Sequence, residues 1–187
     1  MLPWNKKKSK MDHMTFKYKI KKIPTFQKSL ILTSSSFTDL RGSISTIFSS
    51  DMQKNIIKKK FNNYHDKIMI RKKNTLTGIH GDNKTWKVLT CLEGKILLIL
   101  VNCNKKSQNF GKHFKFILKG NDYHSVIISP KVGNSYLCLE KKNLIYYKIF
   151  HNGKYNDYDK QFTYKWNDPR FNITWPIKKP ILSERDK

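Results

Sequence analysis

A histidine and a lysine lie seven positions apart in the segment Thr75–Lys87, and side chains of these types can do acid–base chemistry. His80 follows a short, apolar, Thr-rich run and stands beside Gly78 and Gly81. Glycine at such positions lets a ligand or another backbone approach closely. A base and a cation that converge on one pocket suit the removal of a proton beside a carbonyl group. The alternative interpretation is a surface or core histidine without a catalytic part.

Strand periodicity gives a second reason to single out polar residues. Side chains alternate between the two faces of a strand, so each position can be compared with its neighbours two residues away. His80, Lys87 and Tyr147 each share a face with residues that are otherwise apolar or small. A core tyrosine with a satisfied hydroxyl is the alternative for Tyr147. A lysine on an apolar face either extends its amine to solvent or takes part in chemistry.

The elements that must position these residues are mostly short strands. Candidate strands span residues 67–71, 75–80, 86–92, 95–102, 113–118, 125–129, 135–139 and 144–150. Turn signals rich in glycine and asparagine separate them. A further strand is predicted over residues 43–48, and a short basic helix over residues 51–60. Many short strands with almost no helical periodicity between them predict an all-β fold, an antiparallel barrel or jelly roll.

The domain organisation follows from length and composition. The 187 residues suffice for one domain with a sizeable core, and no internal repeat interrupts them. We expect a basic, flexible N-terminal tail over residues 1–22 and a single domain over residues 23–187. The formal net charge is +25, from 38 basic and 13 acidic residues. Because lysines occur along the whole chain, we favour a solvated basic surface over a nucleic-acid-binding barrel, which stays the alternative.

Cysteines and histidines give no metal signature. The three cysteines are widely spaced and form no C-x-x-C pair, so neither a disulfide framework nor a zinc ribbon is predicted. The six histidines show no ligand spacing, and we expect no metal and no cofactor. No signal peptide is visible, and the longest apolar run, residues 96–101, is too short to cross a bilayer. We therefore expect a cytoplasmic protein that does not use a membrane.

An ordered series of motifs resembles the dTDP-4-dehydrorhamnose 3,5-epimerase family. The series comprises Asp39-Leu-Arg-Gly42, Gly78-Ile-His-Gly-Asp82, Lys84-Thr-Trp-Lys87, Gln161-Phe-Thr-Tyr-Lys-Trp-Asn-Asp-Pro169, Ile173-Thr-Trp-Pro176 and Pro180-Ile-Leu-Ser-Glu-Arg-Asp186. The resemblance runs from about residue 25 to the end of the chain. Within the family the chain looks most like the branch that acts on nucleotide-linked 4-keto sugars of surface polysaccharides, including GDP-linked 4-keto-heptoses.

The resemblance implies a fold, an assembly and a reaction. The fold would be a cupin-type jelly-roll barrel with short helices, usually in a homodimer that exchanges an N-terminal strand, without a metal. The reaction would invert C3, C5 or both in a nucleotide-linked 4-keto sugar. By resemblance, His80 is the base, Asp168 the carboxylate that pairs with it, Lys87 the cation near the C4 oxygen, and Tyr147 the acid on the opposite face.

The resemblance also implies substrate-binding residues and shows where the chain departs from the family. Asp39, Arg41 and Asn134 match substrate-binding positions. Thr77 stands where the family usually has an arginine that holds the substrate diphosphate, and Arg71 is our candidate for the replacement cation.

Two further departures concern other family positions. Tyr136 stands where a histidine is expected, and His151 replaces a tyrosine that is common a few positions after the acid. A relative with altered chemistry, such as a ketoisomerase or a binding subunit, is therefore the alternative to an active epimerase.

Overall fold

The computed structural model describes residues 17–26, 28–155 and 158–187, and β-strands dominate this part of the chain. The strands are β1 (Tyr18–Lys22), β2 (Leu30–Ser34), β3 (Ser36–Asp39), β4 (Gly42–Ser45), β5 (Asn63–Lys72), β6 (Ile79–Gly81), β7 (Trp86–Glu93), β8 (Lys95–Asn102), β9 (His113–Lys119), β10 (His124–Ile128), β11 (Val132–Cys138), β12 (Lys142–His151) and β13 (Phe162–Tyr164).

The N-terminal boundary differs from the prediction. Residues 1–16 of the predicted tail lie outside the described residues, but β1 belongs to the predicted tail and forms an antiparallel pair with β2. The last residues of the predicted tail therefore form a paired strand. Strand pairing uses backbone groups, which a lysine-rich segment supplies as well as any other.

Two antiparallel sheets face each other and build the domain. One has the strand order β1-β2-β10-β7-β12-β5, and the other has the order β13-β6-β11-β8-β9. Consecutive strands repeatedly change sheet, as β7 to β8, β9 to β10 and β10 to β11 do. Strands β3 and β4 form a separate hairpin. The predicted all-β, cupin-type jelly roll is confirmed.

Helical structure is limited to short pieces. Ser49 caps α1 (Ser50–Met52) by accepting the Met52 N–H on its Oγ, and a π-helical turn over Gln53–Ile57 follows. The chain leaves this turn at Lys58, whose φ of 55° lies in the left-handed region. The helix predicted for residues 51–60 is thus present but shorter. Among the described residues, no helix combines the length and the hydropathy that crossing a membrane would require.

The predicted strands after residue 60 all overlap observed strands, with one large difference in length. Of residues 75–80, only the end belongs to β6. Thr75 instead makes an isolated parallel bridge to Ile181, and Leu76 makes an antiparallel bridge to Leu137. The segment changes neighbours along its length, so it cannot form one continuous strand. The predicted strand 43–48 is likewise shortened to β4.

The main hydrophobic core lies between the two sheets. Leu89 of β7 and Ile145 of β12 contribute from one sheet, and Leu98 and Leu100 of β8 contribute from the other. Two smaller clusters cover the outer faces, one beneath the C-terminal segment around Phe171 and one beneath the α1 region. Strand β8 is buried on both faces, which explains its nearly continuous run of apolar residues.

The core predicts a stability effect for β8. Leu98 is fully buried between the sheets, so Leu98→Ala should lower the free energy of unfolding by about 2–5 kcal/mol. Urea denaturation followed by tryptophan fluorescence measures this change. Lys105→Ala, at an exposed loop position, is the control and should change the free energy by less than about 0.5 kcal/mol. Equal effects of the two substitutions would contradict the assignment of the core.

Candidate functional site

A cavity of about 640 Å³ opens between the two sheets. Strands β5, β7 and β12 line it from one sheet, β6 and β11 line it from the other, and residues 181–186 close one side. Five of the predicted catalytic and substrate-binding residues lie on its wall: Arg71, His80, Lys87, Asn134 and Tyr147. The structure therefore brings together side chains that are up to 76 positions apart, which is the interval from Arg71 to Tyr147 (147 − 71 = 76).

His80 pairs with a carboxylate, but the partner is Asp186. The distance from His80 Nε2 to Asp186 Oδ1 is 2.6 Å, and the Asp186 side chain is only 3% exposed. The Ser183 hydroxyl donates to the other carboxylate oxygen at 2.8 Å. If the imidazole is neutral, Nε2–H donates to Asp186 and Nδ1 holds the free lone pair. This arrangement prepares the ring to accept a proton at Nδ1.

The predicted pairing of Asp168 with His80 is wrong. The Asp168 carboxylate accepts two hydrogen bonds from the Arg170 guanidinium, at 2.9 and 2.6 Å, and one from the Arg170 backbone N–H. Asp168 caps the short 3₁₀ turn Pro169–Phe171, in which the proline occupies the first turn. Hydrogen bonding to Arg170 is the main reason why the pKa of Asp168 lies below its usual value. Its position before a proline is typical of a turn cap.

The pKa of Asp186 is also lowered, for reasons that lie inside the site. Burial works against ionisation, but the hydrogen bond and charge of His80, the Ser183 hydroxyl and the Gly78 backbone N–H together outweigh it. The carboxylate is therefore held ionised. The motif Pro180–Asp186 was already part of the resemblance, so the spacing of Ser183 and Asp186 was a signal available in the sequence.

Gly78 is required by the close approach of this pair. A Cβ atom placed on Gly78 would lie 2.5 Å from Asp186 Oδ1 and 3.1 Å from His80 Nε2. The first separation is shorter than any stable contact between such atoms, so a larger residue would push the carboxylate away from the imidazole. The glycine beside the histidine thus makes room for the His80 partner.

Lys87 points inward from β7, as the strand periodicity predicted. Its side chain is almost fully buried, and Nζ donates to Asn134 Oδ1 at 3.3 Å. Burial lowers the pKa of Lys87 to about 8, with Asp82 acting in the opposite direction. At neutral pH the site therefore holds a buried ammonium group that remains largely protonated.

Tyr147 lies on β12, beside β7, and its ring joins the core cluster between the sheets. Its hydroxyl accepts a hydrogen bond from Asn134 Nδ2 at 2.8 Å. Burial raises the pKa of Tyr147 well above its ordinary value, so the phenol is protonated and can act as an acid. Asn134 is the cross-strand partner of His80 in the pairing of β11 with β6. One amide side chain therefore touches both Lys87 and Tyr147 and is fixed relative to the base.

The mouth of the cavity is rich in cations. Arg71, Lys67, Lys72 and Arg185 all line it. Arg185 donates from Nη2 to Thr163 Oγ1 at 2.6 Å, and Lys67 donates to the Tyr155 hydroxyl at 3.1 Å. The sequence interpretation named Arg71 but missed Lys67 and Arg185, because separated lysines and arginines carry no pattern that marks a shared site. Such a group suits an anionic ligand.

The positions that depart from the family have structural partners here. Thr77 Oγ1 accepts the backbone N–H of Tyr136 at 3.1 Å and so ties the entry of β6 to β11. Tyr136 is buried on the cavity wall, and its hydroxyl contacts Met69 Sδ at 3.7 Å. His151 Nε2 lies 3.0 Å from His65 Nδ1, and both rings contact Tyr155, which lines the cavity and accepts a hydrogen bond from Lys67.

Asp39 and Arg41 are not brought to the cavity within one chain. The two side chains form an ion pair with each other on the β3–β4 hairpin, and neither is among the residues that line the cavity. Their predicted role in substrate binding stays a prediction, because neither side chain reaches this cavity within one chain. The physical reason is that this hairpin pairs only with itself and stands apart from both large sheets.

Metal ligands do not gather anywhere in the described ranges. No group of three or more His, Cys, Asp or Glu side chains there is arranged to hold a metal ion.

The His80–Asp186 pair predicts a spectroscopic signal. A short hydrogen bond from imidazole to a buried carboxylate should give a strongly deshielded N–H proton resonance. We expect Asp186→Asn to remove this resonance and Asp168→Asn, the matched control, to leave it in place. Proton NMR in water measures the signal. Its loss in the Asp168 variant instead would contradict the pairing.

The chain is similar in sequence to one family of known proteins. The profile of the dTDP-4-dehydrorhamnose 3,5-epimerase family matches residues 24–187. A dTDP-4-dehydrorhamnose 3,5-epimerase from Salmonella typhimurium is 26% identical over 84% of this chain and 86% of its own length. One from Methanothermobacter thermautotrophicus is 23% identical over 85% of this chain and 86% of its own.

Solved structures share the fold. A dTDP-6-deoxy-D-glucose-3,5-epimerase from Legionella pneumophila, in complex with dTDP-4-keto-L-rhamnose, superimposes with a TM-score of 0.82 at 20% identity, over 91% of this chain and 90% of that one. A dTDP-4-dehydrorhamnose 3,5-epimerase from Bacillus anthracis, with TDP and pyrophosphate bound, gives 0.81 at 20% identity, over 91% and 97%. With a family profile that matches from residue 24 to residue 187, the chain belongs to the dTDP-4-dehydrorhamnose 3,5-epimerase family.

Proposed function

We propose that this protein epimerises a nucleotide-linked 4-keto sugar, at C3, C5 or both, by removing and returning protons beside the ketone. The observation that carries the proposal is the placement of a base and an acid on opposite walls of one cavity. His80 comes from β6 of one sheet, and Tyr147 comes from β12 of the other. A sugar ring held between them presents one face to each.

The first step is the removal of a proton by His80. The ketone at C4 makes the hydrogens on C3 and C5 acidic, and Nδ1 of the neutral imidazole takes one of them. The C–H bonding electrons move to form a C–C double bond, and the C4 carbonyl becomes an enolate. Asp186 keeps Nε2 protonated and then stabilises the imidazolium that forms.

The enolate needs a positive charge at the C4 oxygen. Lys87 supplies a buried ammonium group on the cavity wall, and electrostatic interactions in such a water-poor environment are stronger than in solution. The proposal involves no cofactor, because side chains transfer every proton.

The second step returns a proton from the opposite face. The Tyr147 O–H protonates the carbon, the enolate collapses to the ketone, and the configuration at that carbon is inverted. Solvent then takes the proton from His80 and restores that of Tyr147. Each inversion therefore places one solvent hydrogen on the inverted carbon.

The cations at the mouth support a nucleotide-linked substrate. A diphosphate carries negative charge that Arg71 and Arg185, both on the cavity lining, are suited to bind. In this proposal they replace the arginine that the family usually has at the position of Thr77. The sugar is a 4-keto-6-deoxy sugar or a 4-keto-heptose, the nucleotide a dTDP or GDP group.

Isotope exchange tests the proposed reaction. In heavy water the wild-type protein should place deuterium on C3 or C5 of a dTDP- or GDP-linked 4-keto sugar and yield the inverted product, measured by NMR. We expect His80→Ala to abolish exchange. Tyr147→Phe should keep exchange but reduce inverted product by about 10²–10⁴-fold.

Two matched substitutions control for loss of structure. His113→Ala lies on β9 outside the cavity, and Tyr146→Phe removes a hydroxyl that donates to Asp66 on the outer side of β12. Both should leave exchange and inversion unchanged. Absence of exchange with every tested substrate would refute the epimerase proposal, and exchange without inversion in the wild type would favour the altered-chemistry alternative.

A homodimer in the cytoplasm is part of the proposal. The β3–β4 hairpin exposes Phe37, Leu40 and Ile44, an apolar group that a second copy of the chain would cover. A second copy is also the remaining way for Asp39 and Arg41 to reach a substrate. All three cysteines are buried free thiols, which suits a reducing compartment.

The hairpin predicts a change of assembly. The wild type should sediment as a dimer, whereas Leu40→Glu should shift it to monomer, because a charge at a covered apolar contact is costly. Analytical ultracentrifugation measures the mass in solution. Lys105→Glu, at an exposed position outside the hairpin, is the control and should leave the dimer intact. A wild type that is monomeric at all concentrations, or a Leu40→Glu variant that stays dimeric, would contradict the assignment.

A further inference from the structure

The side-chain amide of Asn134 lies between a hydrogen-bond donor, the Lys87 amine, and a hydrogen-bond acceptor, the Tyr147 hydroxyl. Its Oδ1 accepts from Lys87 Nζ at 3.3 Å, and its Nδ2 donates to the Tyr147 hydroxyl at 2.8 Å. All three residues are more than nine-tenths buried. The backbone of Asn134 is fixed by its pairing with His80. The side chain therefore has only two useful orientations, which differ by exchange of the amide oxygen and nitrogen.

The charge of Lys87 selects between these orientations. A protonated amine has three donors and no acceptor, so it must face the amide oxygen and would repel the amide NH₂ group. The NH₂ group is then left to donate to Tyr147. A phenol that accepts this bond keeps its single O–H hydrogen available for another acceptor, and Tyr147 lines the cavity.

When Lys87 is neutral, it no longer selects one orientation of the Asn134 amide. A neutral amine can accept a hydrogen bond, so the amide can reverse and present its oxygen to Tyr147. The phenol would then donate its hydrogen to Asn134 rather than into the cavity. The acid would be present but its proton would be directed to the wrong partner.

We propose that Asn134 is a positioning residue: through the orientation of its amide, the charge of Lys87 determines where the Tyr147 hydroxyl directs its proton. The inference rests on the proposed function, in which Tyr147 is the acid. It adds that Tyr147 can protonate the substrate only while Lys87 is charged. The charges of other ionisable groups affect the pKa values of both residues. Asp82, Arg185 and Lys67 affect the pKa of Lys87, and Tyr136, Cys138 and Arg71 affect the pKa of Tyr147.

The link has a test that does not depend on activity. Tyrosine labelled with ¹³C at Cζ gives a resonance for Tyr147 that Tyr147→Phe identifies among the nine tyrosines. In the wild type this resonance should shift as Lys87 loses its proton near pH 8, although the pKa of Tyr147 itself lies far higher. In Asn134→Leu the shift should lose most of its amplitude. An undiminished shift in that variant, or no shift in the wild type, would overturn the proposal.

A second test separates inversion from exchange. Asn134→Asp keeps an acceptor for Lys87 but replaces the donor to Tyr147 by an acceptor, so the phenol would donate to the carboxylate. We expect deuterium exchange to persist while inverted product falls at least about tenfold relative to exchange. Asn102→Asp, a buried asparagine at the end of β8 outside the cavity, is the matched control and should not change the ratio.

The outcomes distinguish this inference from the proposed function. Equal losses of exchange and inversion in Asn134→Asp, or no change in either, would overturn the positioning role while leaving the epimerase proposal intact. A wild type that shows neither exchange nor inversion would refute the epimerase proposal, and the ¹³C titration would still decide whether Asn134 links Lys87 to Tyr147.

Discussion

The contact between His80 and Asp186 is the interaction on which the rest of the site depends. It joins a residue of β6 to a short C-terminal turn, 106 positions later in the chain, at 2.6 Å. Gly78 leaves the space for it, and Ser183 holds the second carboxylate oxygen. Because the Asp186 carboxylate is buried, breaking the pair would leave its charge uncompensated, which is energetically costly. This cost holds the C-terminal turn against β6. The base is thus oriented by the same contact that closes one side of the cavity.

A second constraint is the burial of Lys87 between the two sheets. Burying an ammonium group is unfavourable unless its donors find partners, and here the Asn134 carbonyl provides one. The jelly roll makes this arrangement possible, because inward positions on β7, β11 and β12 converge from both sheets. The fold therefore brings the Lys87 amine, the Asn134 amide and the Tyr147 phenol into contact with one another.

The sequence predicted the strands and the inward residues well, because both depend on local alternation. Lys87 and Tyr147 point inward, as their apolar neighbours on the same strand face indicated. Contacts between distant segments were less predictable. Asp168 and Asp186 both belong to C-terminal motifs of the resemblance, and the fold shows that the first caps a turn with Arg170 while the second reaches His80. The same limit explains Arg185 and Lys67, whose position at the cavity mouth depends on tertiary structure alone.

The central claim is that one sugar ring lies between His80 and Tyr147 with its C4 oxygen at Lys87. A crystal structure of the protein with an unreactive nucleotide-linked hexose tests this most directly. We expect C3 or C5 to lie within about 3–3.5 Å of the His80 imidazole on one face, with the Tyr147 hydroxyl on the other face and the Lys87 amine within hydrogen-bonding reach of the C4 oxygen. A ring that presents the same face to His80 and Tyr147, or a nucleotide sugar bound outside this cavity, would contradict it.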